Sequence, residues 1–177
     1  VRDAGGEPGG MMRYGIPTYR LPRTVLDAEI DRLRALGIVI EQGHRVEDLR
    51  AEMRDGPFDA VFVAVGAHLS TRIDIPNQDA SRVMDAVEFL RGAASGTQAP
   101  LAGRVAVYGG GNTAMDAARV ARRLGADDTV IVYRRTREQM PAHESEAQDA
   151  EEEGIRINWL RTISSMGDAD LTVEVQE

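Results

Sequence analysis

The run Gly109-Gly110-Gly111-Asn112-Thr113-Ala114 sits between a β-branched segment, Arg104-Val-Ala-Val-Tyr108, and a stretch of helical character from Asn112 to Leu124. Few folds accommodate a triple-glycine turn in that setting. Glycine lets the backbone turn tightly and come close to another group, while the following helix aims its first N–H groups and the positive end of its dipole over the turn. Gly125 stands where a helix C-cap glycine belongs, and Thr129-Val-Ile-Val-Tyr133 supplies a second strand. This order predicts one βαβ unit with parallel strands. The glycine run fits G-x-G-x-x-A, in which the small Ala114 lets helix pack closely on strand. It therefore predicts a dinucleotide site with the pyrophosphate on Gly109, Gly110, Gly111, Asn112 and Thr113. A glycine turn that serves only packing is the alternative.

The end of the second strand adds a further constraint. In an NAD-binding unit an acidic residue about 20 positions beyond the glycines receives the ribose 2′-hydroxyl. Here Tyr133 is followed by Arg134 and Arg135, with Arg137 adding to the positive field. Guanidinium groups can donate paired hydrogen bonds to a 2′-phosphate, so the arrangement favours NADP(H) over NAD(H). Solvated arginines at a strand end are the alternative. Every basic residue of the chain is an arginine. Compositional bias and phosphate binding both account for that, so position has to decide.

The 177 residues are 42% hydrophobic and 28% charged, enough to build the core of one domain or of two small or incomplete ones. A net charge of −8, from 29 acidic and 21 basic residues, argues against a generic nucleic-acid or anionic-membrane surface. The longest apolar run, Ala60 to Ala67, falls far short of the roughly 18 residues of a membrane span, so no membrane insertion is expected. The absence of cysteine excludes disulfides, a thiol nucleophile and cysteine-held iron–sulfur clusters within these residues. His44, His68 and His143 lack metal-ligand spacing, and no metal site is expected. With no triad or thiol in view, no catalytic side chain is expected either.

Upstream of the βαβ unit, Leu26, Ile30, Leu33 and Leu36 fall at helical spacing before Gly37, Ile38-Val-Ile40 reads as a short strand, and Glu47 to Met53 as a helix broken at Asp55-Gly56-Pro57. Phe58 to Val65 is nearly continuous in apolar character and ends at Gly66, the pattern of a strand buried on both faces of a parallel sheet. Residues 69–81 around Pro76 read as irregular, and Ala80 to Ala94 as a helix through Val83, Val87 and Leu90. The small and turn-forming residues of 92–100 predict a domain boundary, placed at 96–101. Downstream, Met140-Pro141-Ala142 is expected to open a helix that runs to about Glu153 with Gly154 as its cap, followed by strands at 155–160 and 171–175. The acidic stretch from Glu144 to Glu153 reads as a solvated face, and Asp116 as a carboxylate on a helix surface. The fold class is α/β with parallel, Rossmann-like sheets, in two blocks at 1–95 and 102–177. Because the chain opens on Val1 and stops in a strand-like run, it is expected to be a piece of a longer protein. No secretory or transit segment is visible, and a cytoplasmic location is the expectation.

Four segments together carry a resemblance: Gly9-Gly-Met-Met-Arg-Tyr-Gly-Ile-Pro-Thr-Tyr-Arg-Leu-Pro22, Phe58 to Ala67, Gly109-Gly-Gly-Asn-Thr-Ala-Met-Asp116, and Val132-Tyr-Arg-Arg135 with Met140-Pro-Ala142. In this order, over essentially the whole chain, they resemble the small (beta) subunit of NADPH-dependent glutamate synthase and its relatives, among them the electron-input domain of dihydropyrimidine dehydrogenase. The resemblance implies an NAD(P)-binding domain, residues 102–177, inserted into a flavin domain of which 1–95 is the middle segment, with 96–101 as the linker. It also implies that the parent accepts hydride from NADPH onto FAD and passes electrons to a partner domain or subunit carrying iron–sulfur clusters. The FAD pyrophosphate loop would lie upstream of Val1 and the closing flavin-domain segment downstream of Glu177, so these residues alone are not expected to be active.

Carried over position by position, the resemblance makes Asp3 the acidic residue that holds the flavin nucleotide's ribose, Met11 a neighbour of FAD after the double glycine, Arg20 the arginine of the R-L-P segment that contacts FAD, and Val46 another flavin-lining residue. Gly66 would end its strand where backbone passes close to flavin, or merely turns. An NADH-linked subunit feeding another iron–sulfur oxidoreductase, and a non-catalytic nucleotide-binding or docking module, are the competing readings.

Overall fold

The computed structural model describes residues 1–67, 75, 83–167 and 170–176. The chain divides into two compact units, residues 1–68 and 69–177. The expected linker at 96–101 therefore lies inside the second unit, because the helix before it, α4 (Ala86–Ala94), packs against the helix of the βαβ unit. Pro76, His68 and the first residues of the helix expected from Ala80 lie outside the described residues.

In the first unit α1 (Gly10–Tyr14), α2 (Arg23–Ala35) and α3 (Leu49–Asp55) are joined by irregular chain. Arg13 is buried and ties α1 to α2: it donates to the Pro8 carbonyl at 2.6 Å and pairs with Asp27 and with Glu7. The predicted apolar stripe of α2 is buried only at Leu26 and Ile30, while Leu33 and Leu36 are exposed. Gly37, with φ 90, ends this helix as expected. The Asp48 side chain caps α3 by accepting from the N–H groups of Arg50 and Ala51.

Two expected strands do not form. Ile38 to Ile40 makes no ladder; the pairing falls one residue later, as an isolated parallel bridge between Arg2 and Glu41 flanked by the bonds Glu41 N–H to Val1 O and His44 N–H to Asp3 O. Phe58 to Val65 has no strand beside it among the described residues, and its apolar side chains stand in solvent, Phe62 at 92% exposure and Val65 at 74%. An apolar run records what a segment is suited to bury; burial also requires neighbouring strands.

The second unit follows its prediction closely. β1 (Arg104–Tyr108), α5 (Asn112–Arg123) and β2 (Asp128–Val132) form the βαβ unit, with β1 and β2 parallel in the register Tyr108 to Val132. β3 (Arg156–Asn158) extends the sheet in the order β1-β2-β3, all parallel. The segment after Leu160, for which no strand was expected, forms β4 (Arg161–Met166), antiparallel to β5 (Leu171–Val175). Small side chains make α5 a central element: Ala114, Ala117, Ala118 and Ala121 are all buried, and Met115 and Ala118 pack with Ile131, Ile155 and the Ala147 and Ala150 of α6 (Glu144–Glu152). Asp116 lies inside this packing at 3% exposure, which corrects its expected place on a helix surface.

Helix α6 begins later than expected. Met140 and His143 adopt extended backbone, because the N–H of Ala142 donates to the Gly110 carbonyl at 3.0 Å and that of His143 to the Asn112 side chain at 2.9 Å. Those tertiary bonds hold the segment against the glycine turn and delay the helix to Glu144. Nor is the acidic helix simply a solvated face. Glu146, Asp149 and Glu153 recur at helical spacing and converge on Arg119, whose side chain is 7% exposed, at 3.3, 3.1 and 2.7 Å. Arg123 joins them through Glu153 at 2.6 Å. Three carboxylates alone would be costly here, but the two guanidinium groups of α5 face them and the opposite charges satisfy each other.

The Glu153 carboxyl is held at about 2, below its ordinary 4.5, chiefly by the hydrogen bond from Arg123, with Arg119 adding to it and partial burial opposing it. A carboxyl depressed in the folded state contributes stability that is complete above its unfolded value and is lost as pH falls from there toward the folded one. Stability of the second unit should therefore decline as pH is lowered from 4.5 to 2. Glu153→Gln should flatten that decline and cost about 1–2 kcal/mol at neutral pH, as read from urea midpoints across the pH series. A wild-type slope unchanged by the substitution would contradict the assignment. Gly110 offers an independent test of packing, since a Cβ there would lie within 3.0 Å of ring carbons of Tyr133. Gly110→Ala should destabilise the second unit by about 1–3 kcal/mol in the same measurement.

Candidate functional site

The C-terminal edge of the parallel sheet gathers the sequence-predicted residues of the second unit. Beyond Tyr108 the chain turns through Gly109, whose φ of 149 is open to glycine, and its N–H donates to the Val132 carbonyl at 3.1 Å. Because β1 and β2 end level, the turn lies beside Tyr133, and the Tyr133 ring fills the space a side chain at Gly110 would need. Gly110 is thus required by packing within the protein. Gly111 is different: it is extended, and nothing lies within 4 Å of where its Cβ would stand.

Gly111 is also the N-cap of α5 and offers no side-chain acceptor to the helix. The contrast with α3 and α4 is chemical, whereas α1, α2 and α6 also lack a side-chain cap. Asp48 and Asp85 turn their own carboxylates onto the first N–H groups of α3 and α4. At α5 the N–H groups of Gly111, Asn112 and Thr113 have no acceptor among the described residues, and an exposed helix end of this kind suits an external anion. The Asn112 side chain does not close the site, because its Oδ1 accepts from the His143 N–H and so braces the turn against the segment that leads into α6.

One strand over, Arg134 and Arg135 follow β2 after Tyr133 and are exposed. Neither makes a side-chain hydrogen bond or ion pair among the described residues. Arg137 does not share this state. Its guanidinium bonds Glu144 at 2.6 Å and approaches Glu151 at 3.2 Å, and the Glu144 carboxylate holds its pKa above the ordinary arginine value. Its expected contribution to the positive field is therefore cancelled locally. Tyr133 and Trp159 were not singled out from the sequence; they meet edge to face at 6.2 Å beneath this loop. The only signal for them was an aromatic residue at the end of each strand.

In the first unit the candidate residues are less concentrated. Asp3 is half-buried, and its Oδ1 accepts the Gly5 N–H at 2.8 Å. Its backbone lies alongside Glu41 and His44, which brings it near the segment that carries the half-buried Val46. Met11 lies half-buried in α1, and Arg20 lies in the turn after Pro17 with its N–H on the Pro17 carbonyl at 3.0 Å. Gly66, exposed with φ 71, ends the apolar run. No group of metal-ligating side chains is found among the described residues, and no described helix is long and apolar enough to cross a membrane.

Residues 22–177 match the pyridine nucleotide-disulphide oxidoreductase family. The chain is 44% identical to the NADP(+)-dependent formate dehydrogenase subunit beta of Moorella thermoacetica over 86% of its own length and 22% of that protein. It is 33% identical to the glutamate synthase [NADPH] small chain of Escherichia coli, over 90% of the chain and 36% of the relative. It thus spans between about a fifth and two-fifths of the length of these relatives. FprA from Mycobacterium tuberculosis, 15% identical, superposes with a TM-score of 0.72 over 98% of this chain and 59% of that one, which shows a shared fold. With its parallel sheet, its glycine turn and this match over most of its length, the chain belongs to the pyridine nucleotide-disulphide oxidoreductase family and is a homologue of the glutamate synthase small chain.

Proposed function

We propose that the second unit binds NADP(H) across the ends of β1 and β2, with the diphosphate on Gly109, Gly110, Gly111, Asn112 and Thr113 and the 2′-phosphate at Arg134 and Arg135. One observation carries the reading: two exposed guanidinium groups without a carboxylate partner stand one strand from a helix N-terminus that its own N-cap leaves open. The names of the relatives, NADP(+)-dependent in one case and NADPH in the other, support the same nucleotide.

The residues fit that ligand. Gly111 leaves room for an oxygen of the diphosphate where any larger residue would project a side chain, and the helix dipole favours negative charge there. Arg134 and Arg135 can each offer a fork of donors to a phosphate monoester, a group NADH lacks. In the first unit the fit to a flavin is only partial. Asp3, Met11, Arg20, Val46 and Gly66 would flank FAD, but among the described residues of that unit no strand leads through a glycine turn into a helix to receive its diphosphate.

The reaction class in this reading is transfer of hydride from NADPH to FAD, with electrons passed on to a partner domain or subunit that carries iron–sulfur clusters. Such chemistry asks the protein for position and electrostatics, since the cofactors supply the reactive atoms. No side chain of this chain acts as nucleophile or proton carrier in the reading. The sheet edge holds the nucleotide's phosphates, and the free end of the nucleotide is left for the flavin.

Titration of the 177-residue chain with NADPH and NADH by calorimetry tests the proposal directly. Arg134→Glu with Arg135→Glu should cost NADPH about 1.5–3 kcal/mol for each charged hydrogen bond lost, and leave NADH binding unchanged. Equal loss for both nucleotides would contradict the 2′-phosphate assignment. Gly111→Ala separates ligand from fold: stability should stay within about 0.5 kcal/mol of wild type, while both nucleotides bind more weakly. Unchanged affinity in that variant would remove the diphosphate from the turn.

A further inference from the structure

The loop that carries Arg134 and Arg135 is fastened around them on every side. The Tyr133 hydroxyl donates to the Gln139 carbonyl at 2.8 Å, the Leu160 N–H to the Arg135 carbonyl at 3.2 Å, and the Met140 N–H to the Arg137 carbonyl at 3.1 Å. Leu160 holds φ 52, a left-handed conformation that L residues rarely adopt and that surrounding structure must maintain. Arg137 makes the largest number of these ties. Its Nε and Nη2 donate to Glu144 Oε1 at 3.0 and 2.6 Å, its Nη1 donates to Glu151 Oε1 at 3.3 Å, and its guanidinium carbon lies 5.9 Å from the centre of the Trp159 ring. That distance is within cation–π range, and Trp159 in turn rests edge-on against Tyr133.

We propose that Arg137 is a positioning residue for nucleotide selectivity: clamped by Glu144 and Glu151 and stacked on Trp159, it fixes the loop so that Arg134 and Arg135 are presented together to a phosphate monoester. The inference rests on the NADP(H) reading above. Arg137 is not itself the seat of the phosphate. One guanidinium between two carboxylates leaves an excess negative charge, which repels a dianion, whereas the two arginines before it carry unopposed positive charge. Adjacent like charges also repel each other, so left to a mobile loop Arg134 and Arg135 would spread apart. Order supplied in advance by Arg137 removes that cost from the binding step.

The test compares wild type with Arg137→Met, Arg137→Lys and the pair Glu144→Gln with Glu151→Gln, each titrated with NADPH and with NADH, beside hydrogen–deuterium exchange of residues 134–139. Arg137→Met should weaken NADPH roughly ten-fold, the scale of one misplaced charged hydrogen bond, with NADH unchanged and faster exchange in the loop. The paired glutamine variant should move both readouts the same way, and Arg137→Lys should recover part of the loss. Tighter NADPH binding in the glutamine variant would overturn the proposal, since it would make Arg137 a phosphate ligand held back by its carboxylates. Equal weakening of both nucleotides, or a wild-type preference for NADPH that survives Arg137→Met, would overturn the clamp alone. Wild-type protein with no preference for NADPH would overturn the nucleotide reading and this inference with it.

Discussion

The packing of the Tyr133 ring against the backbone of Gly110 joins the parts of the second unit that matter for ligand binding. β1 and β2 are parallel and end level, so the first glycine turn and the first residue past β2 are neighbours. At that point a tyrosine ring occupies the volume that a Cβ at position 110 would take. The contact sets how near the turn can come to the second strand, and the residues on either side inherit the spacing. Gly111 and the open end of α5 come next in the chain after Gly110, and Arg134 and Arg135 come next after Tyr133. The same ring reaches Gln139 through its hydroxyl and Trp159 through its edge, so the turn, the arginine loop and the end of β3 share one anchor.

The elements that follow from local chemistry are those the sequence describes well. Gly125 and Gly154 take positive φ because a helix ends there, and the βαβ unit closes with its predicted register of strand, turn, helix and strand. Of the residues read as a phosphate site, Gly109, Gly110 and Gly111 form the turn and Asn112 and Thr113 open α5, while Arg134 and Arg135 are exposed beyond the second strand. What the pattern could not supply is information about partners far away in the chain. Phe58 to Val65 has the composition of a buried strand but no strand beside it among the described residues. Met140 to Ala142 has the composition of a helix start, yet bonds to Gly110 and Asn112, some 30 residues earlier, claim its neighbourhood first.

Charge is where sequence and structure differ most. Arg134, Arg135 and Arg137 look alike as text, and only the fold distinguishes two unpaired cations from one held by carboxylates seven residues apart on α6. The acidic helix looks like a surface for the same reason: its carboxylates are spaced for two different faces, and the cations that answer them lie on α5 and in the loop after β2. Asp116 is buried because α5 is covered by the sheet and by helices, a fact of assembly that its own neighbours in sequence do not carry.

Helix α6 therefore works as a brace between two sets of guanidinium groups. Arg119 uses both edges of its planar head, Nε and Nη2 toward Glu153 and Nη1 toward Glu146 and Asp149, and Arg137 similarly spans Glu144 and Glu151. A single ammonium concentrates its donors at one point and has no second edge to offer. A chain drifting toward lysine could exchange most of its exposed cations without consequence, but at these two positions the exchange would unbolt one side of the brace.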